Sequence, residues 1–529
     1  MSKQLRPPKS LVSGIMADWL ALEILSVKGL DTATRRRLDK TVYRFPKASE
    51  LLEAYRATKI KRKEAEKLLR IKSVRTDSGV APVTVLTKSY PCPGKCVYCP
   101  LEARMPKSYL SSEPAAARAL SLKFDPYDQV YKRVQMMELN GHEAKKIELI
   151  VKGGTWSAYP WSYRRWFIKR CFDAANHLGR KDKPRYGNLA SAQKANESAG
   201  YRIIGLTIET RPDWLNEKEI MRLRELGCTR VELGVQVIDD EILTLIKRGH
   251  NVDAVARATA MLKSAGFKVD YHFMPGLPGS TVEKDVAMFK QLFSDPRFCP
   301  DMVKLYPCVV MPASELATWK NFKPLEGDAL INALIQMKSV IPRYCRLSRL
   351  IRDFPAQEIK EGNKVTNLRD TIKERMKAQG LVCQCLRCRE AGHRPIMDPK
   401  TKIKLFSDVY SNAGGTEYFL SMEDEKRSTV FSFLRLRLPG SGQSILPELK
   451  GSAIVRELHT YGEALNIGGV GKDAVQHKGL GQKLMKEAER IAKEHDFSYL
   501  SVISGVGVRG YYRKLGYRLC GTYMRKRLA

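Results

Sequence analysis

Between about residue 79 and residue 340, short apolar runs alternate with stretches whose apolar residues recur every three or four positions. The runs fall at 83–86, 146–151, 203–208, 230–235, 268–273 and 302–305, and amphipathic stretches such as 216–226 and 253–265 lie between them. A period near two followed by a period near 3.6 predicts βα units. Repeated, such units build a parallel sheet, closed or partly closed into a barrel, whose ligands sit at the carboxyl ends of the strands.

The flanks read differently. Residues 1–78 form a basic, helical region. The stretch 48–70 places Leu51, Leu52, Tyr55, Leu68 and Leu69 at helical spacing among Lys59, Lys61, Arg62, Lys63 and Lys67. Residues 341–400 read as a basic connector. From 401 to 529, strands at 431–438 and 453–460, a glycine turn, a helix at 481–493 and a strand at 499–504 predict a compact α+β domain. A chain of 529 residues suits such a division, because a single core stops growing well below that length. No apolar run reaches the span of a bilayer, and Met1 to Pro8 lacks the apolar stretch of a signal peptide. The expected location is the cytoplasm.

Charge changes the picture. Ninety-two Lys and Arg against 57 Asp and Glu give +35, and in the first 75 residues basic residues outnumber acidic ones by 19 to 8. An excess of this size suits a polyanion, since each neutralised phosphate releases counterions. Nucleic acid is therefore the expected partner, with a membrane surface the weaker alternative.

Six of the 12 cysteines stand in two tight triplets, which suits metal or cluster ligation better than disulfides. The first is Cys92-Pro93-Gly94-Lys95-Cys96-Val97-Tyr98-Cys99, directly after the first run. Three thiolates on one loop can hold three irons of a 4Fe–4S cluster, leaving the fourth iron for the amino and carboxylate groups of S-adenosylmethionine (SAM). A zinc site completed from afar is the alternative, although zinc motifs more often pair C-x2-C units. The next run ends in Gly153-Gly154-Thr155, where bare backbone can approach SAM closely. Glu209 closes the run after that and suits ribose hydroxyls. The second triplet, Cys383, Cys385 and Cys388, is too crowded for independent core thiols. It predicts a structural zinc site with His393 the nearest candidate fourth ligand; a second redox cluster is the lesser alternative.

The run from Cys92 to Pro100 is accompanied by Ser108-Tyr109, Glu113-Pro114, Phe124-Asp125-Pro126-Tyr127, Glu209-Thr210-Arg211-Pro212-Asp213, Glu232-Leu233-Gly234-Val235-Gln236, Arg248-Gly249-His250 and Met274-Pro275-Gly276-Leu277-Pro278. With Ser504-Gly505-Val506-Gly507-Val508-Arg509, these motifs make the chain resemble the Elongator catalytic-subunit family over about 450 residues, in its prokaryotic, single-subunit form. Lys152 stands where the family has methionine before Gly-Gly-Thr, and Val237 where it has serine.

Near the C-terminus, Gln476-His477-Lys478-Gly479-Leu480-Gly481 matches the Q/R-x-x-G-x-G turn of GNAT-type acetyltransferases. That turn aims backbone N–H groups and a helix dipole at a pyrophosphate. Glu457, Leu458, His459 and Thr460 offer a strand edge to the pantetheine amides, and Tyr511 and Tyr512 are candidate proton donors near the thioester. The resemblance favours Tyr511 as the coenzyme A contact, adds Lys146 as an acetyl-CoA contact from the barrel side, and extends the SAM site to Gln236.

The fold implied is a radical-SAM partial (β/α) barrel joined to a GNAT-type α+β domain. The function implied is placement of a carboxymethyl group on carbon-5 of the wobble uridine of tRNA, with a 4Fe–4S cluster, SAM and acetyl-CoA as cofactors and an external electron donor. Arg75, Lys88, Arg349 and Arg352 are the candidates for holding the anticodon stem-loop. A protein lysine acetyltransferase with a structural cluster is the rival reading, and a tRNA-binding scaffold with vestigial chemistry the third.

Overall fold

The computed structural model describes residues 5–39, 41–60, 62–70, 79–391, 401–440, 444–461 and 479–528. Arg75, His393, Gln476, His477 and Lys478 lie outside these residues.

Seven strands form the first sheet in chain order: β1 (Ala81–Leu86), β2 (Lys146–Lys152), β3 (Arg202–Thr210), β4 (Arg230–Gln236), β5 (Lys268–Phe273), β6 (Met302–Leu305) and β7 (Arg346–Arg349). Every neighbouring pair is parallel, and β1 and β7 are the two edges, so the barrel is partial. Helices pack outside it. Along β2 burial alternates, whereas β4 is buried at every position, as expected of a strand covered on both faces.

The division placed at residue 340 needs correction, because β7 lies beyond it and completes the sheet. The helix Leu368–Ala378 likewise sends Leu368, Ile372 and Met376 into the barrel's core cluster. The stretch read as a connector thus continues the barrel. The 48–70 stretch is also not one helix. It breaks into Ala48–Ala57 and Lys63–Leu69, where the Tyr55 hydroxyl donates to the Arg62 carbonyl at 2.8 Å and accepts from the Arg62 N–H at 3.0 Å. Capturing that backbone supplies the turn with the partners a continuous helix would have provided. With Lys9–Leu20 and Val27–Leu38, these helices bury a small core of their own around Ile15, Trp19, Leu52 and Tyr55.

The second sheet has the order β13-β14-β12-β11-β10-β9-β8. Its strands are β8 (Ile403–Asn412), β9 (Gly415–Asp424), β10 (Val430–Leu438), β11 (Ser452–Thr460), β12 (Tyr499–Val502), β13 (Arg518–Cys520) and β14 (Tyr523–Arg527). Only β11 and β12 run parallel, and they pair only from Ser452 to Val455. Beyond that point β11 keeps its β10 partner, with a register shift at Arg435/Leu436, and pairs no further with β12. The helix Leu480–Glu494 buries Leu480, Leu484, Met485, Ala488, Ile491 and Ala492 against this sheet.

The two sheets are locked together. Arg456, fully buried on β11, donates to Asp301 Oδ2 at 2.9 Å and to Glu417 at 3.0 Å, while Lys263 reaches the same Asp301 at 2.9 Å. The turn Ser504 to Val508 lies on β3. A Cβ on Gly505 would stand 1.9 Å from the Ile204 carbonyl oxygen, and one on Gly507 2.6 Å from Arg202 Cβ. Glycine is what lets the two backbones meet.

Candidate active site

The cysteine loop leaves β1 and returns over the carboxyl ends of the strands. Three cations collar it. Arg248 donates to Cys96 Sγ at 3.4 Å, Lys107 to the Gly94 carbonyl at 2.6 Å, and Arg211 pairs with Asp213 at 2.9 Å. Arg211 keeps a buried Nη1 without a partner, 2.4 Å from where a Gly94 Cβ would stand. A hydrogen bond from Cys99, and then Arg248, lowers the Cys96 thiol to about 4 against the opposing effect of burial. Gly153 has φ +134, and a Cβ there would lie 1.9 Å from Thr87 Oγ1, so no other residue fits. Thr155 Oγ1 stands 3.6 Å from Cys92 Sγ. Paired thiols, surplus buried cation and bare glycine backbone fit an anionic cluster. Cys92, Cys96 and Cys99 would ligate it beside Gly153, Gly154 and Thr155.

Below the loop a cavity of about 840 Å³ opens into the barrel. Its wall is charged. Lys152 pairs with Glu209 at 3.0 Å and with Glu232, while Tyr109 donates to Glu209 at 3.0 Å. His272 meets Glu232 at 3.0 Å, and Lys304 pairs with the same carboxylate. The unusual Lys152 is therefore held by two carboxylates, and their fields outweigh burial to keep it protonated. Burial lowers the Lys304 amine to about 8. Gln236 lines the cavity with φ +74, a conformation that costs a non-glycine residue energy.

A second cavity of about 670 Å³ lies between barrel and second sheet. Lys146 enters from the start of β2. Glu457, Leu458, His459 and Thr460 line it from the end of β11, Gly479 and Gly481 from the helix N-terminus, and Tyr511 and Tyr512 from the helix that follows β12. Gly479 has φ +67, and no described residue caps the first N–H groups of the helix with its side chain. The Tyr511 hydroxyl lies 3.1 Å from where a Gly481 Cβ would stand. Leu480 is core, and Tyr512 is buried against Tyr517. The Glu457 carboxylate is occupied by Arg435 at 2.9 Å and Lys268 at 3.3 Å. His459 is neutralised by burial, and its buried Nε2 has no partner among the described residues. Burial also pushes the Lys146 amine down and the Tyr511 hydroxyl up.

Glu148, Arg230, Met302 and Arg346 line both cavities, and Arg230 pairs with Glu148 at 2.8 Å. The cavity under the cysteine loop and the cavity at β11 are thus neighbours that share these four residues. Sequence reading assigned no role to Arg211, Arg248, His272 or Lys304. The first two stood in motifs already noted, Arg211-Pro212-Asp213 and Arg248-Gly249-His250, where a buried arginine beside a cysteine loop was the available signal.

Cys383, Cys385 and Cys388 bring their sulfurs within 4.8 Å of one another, close enough to share one ion. The Leu386 N–H donates to the Cys345 carbonyl at 2.9 Å, and Arg389 pairs with Glu423 of β9 at 2.7 Å, which puts the triplet at the seam of the two sheets. Of the arginines and lysine proposed for RNA, Lys88 is exposed and Arg349 lines the first cavity while pairing with Asp353 at 2.7 Å. Arg352 is tied to Ser108 Oγ at 2.6 Å and Glu113 at 3.2 Å, bracing the segment after the cysteines.

A partial parallel barrel with this cysteine loop, carrying a second mixed sheet, defines a radical SAM protein. The Radical SAM superfamily model matches residues 88–292 and the Radical_SAM C-terminal domain model residues 300–378. A tRNA uridine(34) acetyltransferase of Methanocaldococcus infernus is 46% identical over 91% of this chain and 92% of its own length. Elongator complex protein 3 of Danio rerio is 39% identical over 87% of this chain and 86% of its own. The solved structure of the archaeal Methanocaldococcus infernus Elp3 lacking residues 1–46 superposes with a TM-score of 0.74 at 44% identity, covering 85% of this chain and 99% of that one. The chain belongs to the tRNA uridine(34) acetyltransferase/Elongator complex protein 3 family. A radical SAM family implies a 4Fe–4S cluster and SAM. Among the described residues, no helix is long and apolar enough to cross a membrane.

Proposed function

We propose that this protein places a carboxymethyl group on carbon-5 of the wobble uridine of tRNA, taking the two carbons from acetyl-CoA. The observation that carries this reading is the adjacency of the two cavities, which share Glu148, Arg230, Met302 and Arg346. An acetyl group delivered to the second cavity would need only to pass these four side chains to reach the chemistry in the first. Its relatives are named for acetyl transfer to tRNA uridine 34.

The cluster and SAM, when bound, supply a carbon-centred radical able to take hydrogen from an unactivated C–H bond. The chain's own residues do the rest. Arg248, Arg211 and Lys107 neutralise the thiolates; Gly153, Gly154 and Thr155 approach the methionine end, and Glu209 and Gln236 hold the remainder of SAM. The N–H groups at Gly479, Leu480 and Gly481 would bind pyrophosphate. The β11 stretch Glu457 to Thr460 would offer backbone to the pantetheine amides, while Lys146 and Tyr511 would meet the acyl end. Buried and neutral, His459 Nε2 is available as a hydrogen-bond partner there. The basic surface, including Lys88 and Arg349, would attract tRNA. Cys383, Cys385 and Cys388 would take zinc, with His393 or another group completing four ligands.

The test is nucleoside analysis by mass spectrometry after reduced, reconstituted protein is incubated with SAM, acetyl-CoA and tRNA. Carboxymethyluridine that disappears in Cys96→Ala supports the reading. Acetylated protein beside unmodified tRNA supports a lysine acetyltransferase instead.

A further inference from the structure

A ladder of aromatic rings runs from the cysteine loop to the surface. Tyr90, two residues before Cys92, is 36% exposed, and its ring centroid lies 4.8 Å from that of Tyr159. Tyr159 is buried and stacks on Tyr163 at 5.3 Å; Tyr163 meets Trp166 at 5.6 Å, and Trp166 is 44% exposed. The ammonium of exposed Lys88 sits 5.3 Å over the Tyr163 ring, and Lys88 makes no ion pair with any described residue.

The ladder is rigid. The Tyr159 hydroxyl donates to the Lys88 carbonyl at 2.7 Å and lies 3.0 Å from the Gly153 carbonyl and 2.8 Å from Thr87 Oγ1. Its buried rung is thus fastened to the same strand ends that frame the cysteine loop. The helix Trp161–His177 supplies the outer rungs, because Tyr163, Trp166 and Phe167 are three and four residues apart and share one side. A core stack would cover its terminal rings. Here both ends face solvent, with a cation between them that pairs with no described residue.

We propose that Tyr90 and Trp166 are stacking platforms for unpaired bases of the RNA substrate, with Lys88 neutralising the phosphate between them. The inference rests on the tRNA reading above and says where the loop lies: beside the cysteine loop, outside β1 and β2. Every base has a π-face, so rigid exposed aromatics interleaved with a lysine hold single strands without reading sequence. A duplex, whose bases are already stacked, gains nothing from such rings. Both ends of the platform being apolar, a purely electrostatic arm does not account for it.

The experiment measures anaerobic binding of two RNAs to the cluster-loaded protein: a hairpin with an unpaired loop and a blunt duplex of equal charge. Tyr90→Ala and Trp166→Ala are expected to weaken hairpin binding about tenfold each and to leave duplex binding unchanged. Tyr90→Phe and Trp166→Phe should restore it, and Lys88→Gln should lower the salt slope by about one for the hairpin. In the wild type, Trp166 fluorescence should be quenched by the hairpin and not by the duplex. Because both rings are exposed, the variants should retain cluster absorbance. Equal losses for hairpin and duplex, or no loss for the hairpin, would overturn the proposal. So would unchanged hairpin binding with lost reduction by a small acidic electron-transfer protein, which would make this a protein-docking face. A wild type that binds neither RNA would sink the tRNA reading itself.

Discussion

Gly505→Ala tests how the two domains hold the second cavity. At this residue φ is −65, so alanine brings no backbone strain and the whole effect is steric. The added methyl would lie 1.9 Å from the Ile204 oxygen and 2.4 Å from its carbonyl carbon. Ordinary contact begins near 3.4 Å, so the turn must back away from β3 by more than an ångström. Overpacking of this kind costs about 2–3 kcal/mol. At about 2–4 °C for each kcal/mol in a cooperative unit of this size, the melting temperature should fall by about 5–10 °C. Ser504, Gly505, Gly507 and Val508 line the second cavity, so acetyl-CoA affinity should fall about tenfold as well. Gly510→Ala is the control. A Cβ there meets nothing within 4 Å, and the residue lies in the helix Arg509–Lys514, where alanine should gain about 0.5–1 kcal/mol. Differential scanning calorimetry and isothermal titration with acetyl-CoA read both quantities. A Gly505→Ala protein as stable as the wild type, with unchanged acetyl-CoA affinity, would refute the packing argument.

Further outcomes follow from the buried charges and the cysteines. Burial opposes ionisation of Glu457, but Lys268 and Arg435 outweigh it and hold the carboxyl at about 2 rather than 4.5. At about 1.4 kcal/mol per pH unit this linkage is worth about 3 kcal/mol, fully present above pH 4.5 and lost as pH falls toward 2. Acid unfolding curves of Glu457→Gln should be flatter across that window. Asp270 is buried with both carboxylate oxygens unpartnered and Lys304 no nearer than 4.0 Å, so Asp270→Asn should raise stability by about 1 kcal/mol in urea denaturation. On the zinc reading proposed for Cys383, Cys385 and Cys388, elemental analysis should show Cys385→Ser losing zinc while keeping iron, and Cys96→Ala losing iron while keeping zinc; wild-type protein with iron and no zinc would refute that reading.

Strands at 146–151, 203–208, 230–235, 268–273 and 302–305 match β2 to β6 to within two residues at either end, because each is an apolar run bounded by turns. The last barrel strand was hidden. Arg346-Leu347-Ser348-Arg349 has one apolar residue in four, and only its pairing with β6 makes it a strand. In β8, Lys404, Asp408 and Ser411 dilute the apolar pattern in the same way, since one of its faces meets solvent. The Cys383 triplet was legible from spacing alone, because three thiols within six residues cannot scatter. The adjacency of the two cavities was not. Glu148 and Arg230 are 82 residues apart and Asp301 and Arg456 are 155 apart, so only closure of the barrel and docking of the second sheet bring them together. Lys152 stood out in the sequence only as a departure from the family's methionine, and its two carboxylate partners became visible only through β3 and β4.

The central claim is that chemistry begun at Cys92, Cys96 and Cys99 acts on an acetyl group bound at β11, in the neighbouring cavity. The most direct measurement supplies acetyl-CoA deuterated at the methyl carbon, with SAM, reductant and tRNA, and follows the label by mass spectrometry. Deuterium should be recovered in 5′-deoxyadenosine, and the modified uridine should carry the two that remain. Unlabelled 5′-deoxyadenosine formed alongside modified tRNA would contradict the account.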